Sequence, residues 1–319
     1  MKLKSKLVLM LTLTALLFSF APNGKIFAAP WALSGDVGVH DPSLIKEGNS
    51  WYTFSTGKGI QVLKSDNGTN WYRVPQVFLS PPAWWKTYVP KQAANDVWAP
   101  DVKTYNGRTW LYYSISSFGS NTSAIGLASA SSIGAGSWRD DGLVLRTTEG
   151  SNDYNAIDPE LVIDASGNPW LAFGSFWSGL KLTKLDKNTM KPTGSITSIA
   201  ARPNNGGAIE APSITYRNGY YYLFASIDNC CKGVNSTYKI VYGRSANITG
   251  PYVDKNGVNM LNGGGTILDS GNAQWKGPGG EDIVGNNIIA RHAYDANDNG
   301  APKLLISDLN WDSSGWPTY

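Results

Sequence analysis

Three acidic residues occupy matched places in this chain. Asp41 and Asp158 each directly precede a proline, in His40-Asp41-Pro42 and Ile157-Asp158-Pro159, and Glu210 lies two residues before Pro212 in Ile209-Glu210-Ala211-Pro212. Each stands at the head of an alternating apolar run, although acidic residues are poor strand formers. If the three heads meet in space, their like charges push their pKa values apart, so that one carboxyl stays protonated while another stays ionised. That is the requirement for an acid/base pair in glycoside hydrolysis. A metal site or a solvated polar funnel could use the same three groups. With only two histidines, His40 and His292, a histidine-rich zinc centre is excluded. Neither a Ser-His-Asp order nor a glycine-rich phosphate loop is present.

The elements that must bring the acids together are legible as a repeat. "DPSLIKEGNSWYTFS" from Asp41, "APDVKTYNGRTWLYYS" from Ala99, "DPELVIDASGNPWLAFGS" from Asp158 and "APSITYRNGYYYLFAS" from Ala211 share one grammar. A proline is followed by an alternating strand, a tight turn and an aromatic second strand. Asn106-Gly107, Ser166-Gly167-Asn168 and Asn218-Gly219 are hairpin turns. The prolines at 42, 100, 159 and 212 are 58, 59 and 53 residues apart, and a degenerate fifth unit, "GEDIVGNNIIARHAYD", begins at Gly280. A period near fifty residues with about four strands per unit predicts an all-β, five-bladed β-propeller in a single domain. The innermost strands of a propeller line its axis, which would gather Asp41, Asp158 and Glu210 at one funnel mouth. Asp101 and Glu160, which follow their prolines, should point elsewhere by alternation and act as structural hydrogen bonders.

Composition narrows the setting. Lys2, Lys4 and Lys6 precede an apolar run from Leu7 to Phe20, which reads as a secretory signal over residues 1–28, leaving the propeller over 29–319. Four of the 27 basic residues and none of the 24 acidic ones lie in that signal, so the remainder carries 23 against 24, a net −1. With no long basic run, nucleic acid is not an expected partner. No second apolar stretch approaches membrane-spanning length, and a secreted, extracellular monomer is expected. The adjacent Cys230-Cys231 forms no disulfide framework; it is either a vicinal disulfide or a pair of free thiols. Thirteen Trp and 16 Tyr suit both blade packing and a sugar-binding surface.

Taken together, "HDPS", "WAPD", "YNAIDPE", "FGSFWSG" and "AIEAPS" resemble the arabinanases of glycoside hydrolase family 43, and the likeness runs over essentially the whole chain after the signal. The resemblance implies a propeller that cuts α-1,5-linked L-arabinofuranose chains of arabinan and arabino-oligosaccharides with inversion. It makes Asp41 the general base, Glu210 the general acid, and Asp158 the group that raises and orients Glu210. It implies sugar contacts from Trp98, Phe118 and Gly119 at the mouth, and from Asn155, Ser175, Phe176 and Trp177. It also implies that His292 helps to hold one cation, commonly calcium, in the central channel, whereas His40 is structural and faces away.

Competing functions remain: an exo-acting arabinofuranosidase or xylosidase on the same fold, or a carbohydrate-binding propeller without catalysis. The last predicts a sugar site in every blade, and the unlike acids of blades one, three and four favour one central site. "DANDNG" at 295–300 matches the first half of an EF-hand loop, but Ile306 stands where the bidentate Glu belongs, so a polar hairpin loop is expected.

Overall fold

Each repeat folds as an up-and-down antiparallel sheet. The computed structural model describes residues 29–319, and the signal expected over 1–28 lies outside the described residues. Blade one contains Ser43–Glu47, Ser50–Ser55, Gln61–Ser65 and Asn70–Val74, with Ser34–Gly35 added in parallel to its outer strand. Blade two contains Asp96–Tyr105, Arg108–Ile115, Ser123–Ala130 and Arg139–Thr147. Blade three runs through Glu160–Ile163, Pro169–Phe173, Leu180–Lys184 and Thr197–Ala200, and blade four through Ile209–Arg217, Tyr220–Ile227, Lys239–Ser245 and Thr266–Asp269. Helix among the described residues is confined to Trp84–Tyr88 and two 3-10 turns. Asn106-Gly107 and Asn218-Gly219 hold φ near +50° to +86° at both positions, the left-handed pair that matches the strand twist.

Blade five explains its degenerate sequence. It has three strands of its own, Trp275–Val284, Ile288–Asp295 and Ala301–Asp308. The chain before blade one supplies the missing edge: Trp31 N–H donates to Ile306 O (2.7 Å), Leu304 N–H to Val37 O (2.8 Å) and Val39 N–H to Pro302 O (3.3 Å). The N-terminal segment thus closes the circle and covers an edge that would otherwise be open to pairing. The "DANDNG" stretch is the hairpin loop between the last two strands, with Gly300 N–H on Asp295 O at 2.8 Å.

The apolar core of the described residues is divided by blade junction. Phe54, Val97 and Leu111 fill the seam between blades one and two, Tyr112, Leu161 and Phe173 that between two and three, and Leu182, Ile209 and Leu223 the next. Phe224 with Ile289, and Leu44 with Ile306, complete the ring. The alternation of each inner strand sends one face into a seam and the other to the axis.

Around the axis the blades are tied by a cyclic set of hydrogen bonds. In each blade the residue one place beyond the proline position accepts a backbone N–H from the next blade. Asp282 accepts from Leu44 (2.7 Å), Ser43 from Val102 (3.0 Å), Asp101 from Leu161 (2.7 Å), Glu160 from Ile214 (3.5 Å) and Ser213 from Ile283 (3.1 Å). Asp101 and Glu160 are therefore structural acceptors, but they do not point elsewhere: two residues beyond the kinked positions, they line the same axial channel. Lys103 supplies the counter-charge: its Nζ bonds Glu160 and lies 3.5 Å from Asp101 and 3.9 Å from Asp282. Burial pushes the Asp282 carboxyl up to about 6 against the pull of Lys103, and burial with the Asp101 charge raises Glu160.

Removing Lys103 should expose this dependence. Lys103→Met leaves three buried carboxyls without a cation and should lower unfolding stability by about 3–5 kcal/mol near pH 8. Glu160 and Asp282 already have folded-state pKa values above their unfolded ones, and loss of the cation raises them further, so stability falls as pH rises from the unfolded value through the folded one. The variant's deficit should accordingly shrink at pH 5. Denaturant midpoints of both proteins at pH 5 and pH 8 test this, and an equal deficit at both would remove Lys103 from the role.

Candidate active site

The inner strands open on five left-handed residues. Asp41, Ala99, Asp158, Ala211 and Gly280 have φ of 49°, 39°, 55°, 51° and 57°. Four precede proline, and for residues with a Cβ this conformation costs roughly 1–2 kcal/mol each. The strand ladder also loses register here, between Trp98 and Asp101, Glu210 and Ser213, and Gly279 and Asp282. Such bulges re-aim side chains. They allow Glu210, one place earlier in its blade than Asp41 and Asp158 in theirs, to enter the same electrostatic cluster. The five kinked residues line a narrow axial channel together with Ser43, Asp101, Glu160 and Asp282 of the hydrogen-bonded ring and with Glu281.

Asp41 is built to be ionised. Its Oδ2 accepts from Thr56 Oγ1 (2.7 Å) and from His40 Nδ1 (2.9 Å), and its Oδ1 lies 3.5 Å from His292 Nδ1. Burial opposes the charge, but the His40 charge and hydrogen bond, His292 and Thr56 together hold the carboxyl well below the usual range. Gly280 makes the space: a Cβ there would lie 2.5 Å from Asp41 Oδ1 and 3.0 Å from His292 Nδ1.

Glu210 is held differently. Ser175 Oγ donates to its Oε2 (2.5 Å) and Tyr238 Oη to its Oε1. Burial and the Asp41 charge raise its pKa against these bonds. Asp158 is pushed well above the usual carboxylate range by burial and by the charges of Glu210 and Asp41, with Ala211 N–H on its Oδ2 at 3.2 Å opposing. The two buried carboxyls repel one another's charge, so the pair retains a proton to higher pH than a free carboxylic acid.

The expected sugar contacts are distributed unevenly. The loops after the second strands lie at the same end as the acids, because those strands run antiparallel to the inner ones. Phe118 (83% exposed) and Trp177 (42%) project from two of them. Gly119 beside Phe118 is left-handed with open space at its Cβ position. Phe176 and Trp177 are both left-handed, at φ 53° and 41°. Trp98 is half-buried beside Ala99, its Nε1 donating to Asp96 (2.7 Å). Asn155 is buried, and its Oδ1 has no hydrogen-bond partner within the described structure. Ser175, expected among the sugar contacts, is buried, with its hydroxyl committed to Glu210.

His292 is wholly buried. Its Nδ1 accepts the Asp41 N–H at 3.1 Å, and burial with the neighbouring His40 charge lowers its pKa to about 3, so the ring is neutral. Nε2 is buried without a hydrogen-bond partner within the described structure. His40 does not face away, as expected, but stacks on His292 with ring centroids 3.9 Å apart and bonds Asp41. Burial alone would lower its pKa; the Asp41 charge and hydrogen bond and the Glu210 charge outweigh that and raise it. Thr56, Tyr238 and Tyr294 belong to the site too, although nothing in their local sequence marks them. Cys230 and Cys231 form a disulfide at the rim, which resolves the alternative in favour of the vicinal bond.

Comparison with known proteins agrees with this geometry. The model of glycosyl hydrolases family 43 matches residues 35–317. The extracellular endo-alpha-(1->5)-L-arabinanase 1 of Bacillus subtilis is 68% identical over 92% of this chain and 90% of its own. The extracellular exo-alpha-(1->5)-L-arabinofuranosidase of Cellvibrio japonicus is 42% identical over 88% of this chain and 86% of its own. The solved endo-arabinanase of Bacillus licheniformis superposes with a TM-score of 0.89 at 68% identity, over 91% of this chain and all of that one. The repeat, the kinked acids and these likenesses converge on one assignment: the chain belongs to glycosyl hydrolases family 43.

Proposed function

We propose that this protein is an extracellular endo-1,5-α-L-arabinanase that hydrolyses arabinan with inversion. The observation that carries the proposal is electrostatic: one funnel holds Asp41, kept ionised, with Glu210, pushed toward its protonated form. Inversion needs this division, with the base activating water on one face of the sugar and the acid protonating the leaving oxygen on the other. Asp158 and Glu210 both lie against the ionised Asp41, and Glu210 repels a charge on Asp158, so the pair keeps a proton for the leaving oxygen. Trp98, Phe118, Phe176 and Trp177 offer ring surface to furanose units, while Ser175 and Tyr238 aim Glu210. A single central site with unlike acids does not suit a binding propeller with a site in every blade. The preference for endo over exo cleavage follows the 68% identity to an endo-acting relative against 42% to an exo-acting one.

The proposal includes a cation at His292, calcium by family resemblance. The neutral ring and the unpartnered buried Nε2 fit such a ligand. Ligation through Nε2 would move the ring proton to Nδ1, which would then donate to Asp41 Oδ1, 3.5 Å away, in place of accepting the Asp41 N–H at 3.1 Å. The ion would add positive charge beside the acids.

Linear arabinan should release mixed oligosaccharides early, with a rapid fall in viscosity, and NMR should show the β-anomer formed first. Arabinose as the sole early product would establish exo action instead, and an α-anomer would make Asp41 a nucleophile.

Glu210→Ala should lower arabinan cleavage by about 10²–10⁴-fold, and much less on an aryl arabinoside whose phenol leaves without protonation. Asp41→Ala should fail on both. Asp158→Asn removes the like charge, so the basic limb of the pH profile should move to lower pH. An unmoved limb would free Asp158 from that role.

His292→Ala should lose bound metal while remaining folded, and chelation should lower the wild-type melting temperature, because an ion bound only by the native state stabilises it. Equal metal content in both proteins would place the ion elsewhere.

A further inference from the structure

The disulfide at the rim is connected to Asp41 by an unbroken series of contacts. Cys231 N–H donates to Tyr294 Oη at 2.8 Å, Tyr294 Oη lies 2.9 Å from His40 Nε2, and His40 Nδ1 lies 2.9 Å from Asp41 Oδ2. Cys231 Sγ itself sits 3.9 Å from His40 Nε2. Tyr294 is 3% exposed, so its hydroxyl finds its partners inside the protein. The loop is tethered at its base, where Asp228 pairs with Arg202 (2.6 Å) and Lys239 (2.5 Å).

The unusual part is the backbone. Cys231 has φ of 66°, a conformation that non-glycine residues adopt at a cost of roughly 1–3 kcal/mol. Bonding adjacent sulfurs closes a small ring over the Cys230–Cys231 peptide, which restricts the escape of that backbone to ordinary values. The restricted backbone is what keeps the Cys231 N–H on Tyr294. Neither the ring nor its hydrogen bond is needed for blade pairing, since this loop lies beyond the end of Tyr220–Ile227.

We propose that the Cys230–Cys231 disulfide positions the general base, acting through Tyr294 and His40, so that turnover depends on the oxidised state of this pair. The proposal rests on the assignment of Asp41 as base. Cys231 is exposed, so an external two-electron reductant has access. A water-soluble trialkylphosphine would break the S–S bond, the sulfurs taking two protons and the phosphine leaving as its oxide with an oxygen from water. Cys230, Cys231 and Tyr294 are positioning residues, and none has to touch the sugar.

The test is steady-state kinetics on a soluble arabino-oligosaccharide, with thiols counted and folding checked by melting temperature. Reduction of the wild type to two thiols should lower kcat by about tenfold, the scale of a small misplacement of a catalytic group, with KM changed by less than about twofold, as expected for a group aligned for the chemical step. Cys230→Ser/Cys231→Ser should show the same fall without reductant, which covers a disulfide that resists reduction. Tyr294→Phe should fall likewise, and the triple variant no further, because residues acting through one chain are not additive. Unchanged kcat in the double serine variant would overturn the proposal, as would a fall in reduced Tyr294→Phe equal to that in the reduced wild type. A rise in KM alone would also overturn it, making the sulfurs a sugar contact. Asp41→Ala is measured alongside: retained turnover there would mean that the base assignment fails, independently of the coupling between disulfide and Tyr294.

Discussion

The cycle of five hydrogen bonds around the axis is the constraint on which the site depends. Each links a side chain in one blade to a backbone N–H in the next, so the blades are locked in angle as well as in contact. Apolar packing in the seams could tolerate sliding, because the hydrophobic effect is non-directional. A buried N–H that loses its acceptor costs about 1–3 kcal/mol, which fixes each inner strand in height along the axis. The acids of the site stand only two or three residues above this ring. Their relative placement therefore inherits the ring's precision, although they come from blades far apart in the chain.

Two sets of carboxyls lie about the axis and are handled in opposite ways. Below, Asp101, Glu160 and Asp282 are compensated by Lys103 and by backbone donors. Above, Asp41, Asp158 and Glu210 have no lysine or arginine ion pair among the described residues. Their compensation is local: His40 and Thr56 serve Asp41, and Ser175 and Tyr238 serve Glu210. Leaving repulsion between Asp158 and Glu210 unrelieved destabilises the folded chain and keeps a proton available for chemistry. The lower ring secures the fold while the upper one remains electrostatically unsettled.

Backbone strain is placed with the same economy. The left-handed residues at the heads of the inner strands turn the chain where the side chains must meet, and the fifth is glycine because Asp41 and His292 occupy the space of its Cβ. Phe176, Trp177 and Cys231 add left-handed positions in loops at the same end. Such conformations persist only where surroundings over-determine them, and here the neighbouring blades do so.

The sequence by itself determined the blade count, the strand alternation and the three acids, because these depend on local rules: a period of 53–59 residues between prolines, hairpin turns and the residue types that tolerate them. It did not place Asp101 and Glu160, which stand two residues beyond the kinked positions and line the same channel as Asp41 and Asp158. Tertiary structure decided what lies across blades. The closing edge of blade five comes from residues 31–39, a partnership without a local pattern. Ser175, a sugar contact by resemblance, is bonded to Glu210 in the next blade, a partnership its motif does not announce. His40 sits next to Asp41 in sequence, yet its role was set by His292 and Tyr294, more than 250 residues away. Tyr238 and Thr56 carry no sequence mark, because a hydroxyl becomes a partner of a carboxylate only where the fold leaves the two within reach. Charge state follows the same rule: the sequence supplied three carboxyls, and only their neighbours in the fold hold one ionised and raise the other two.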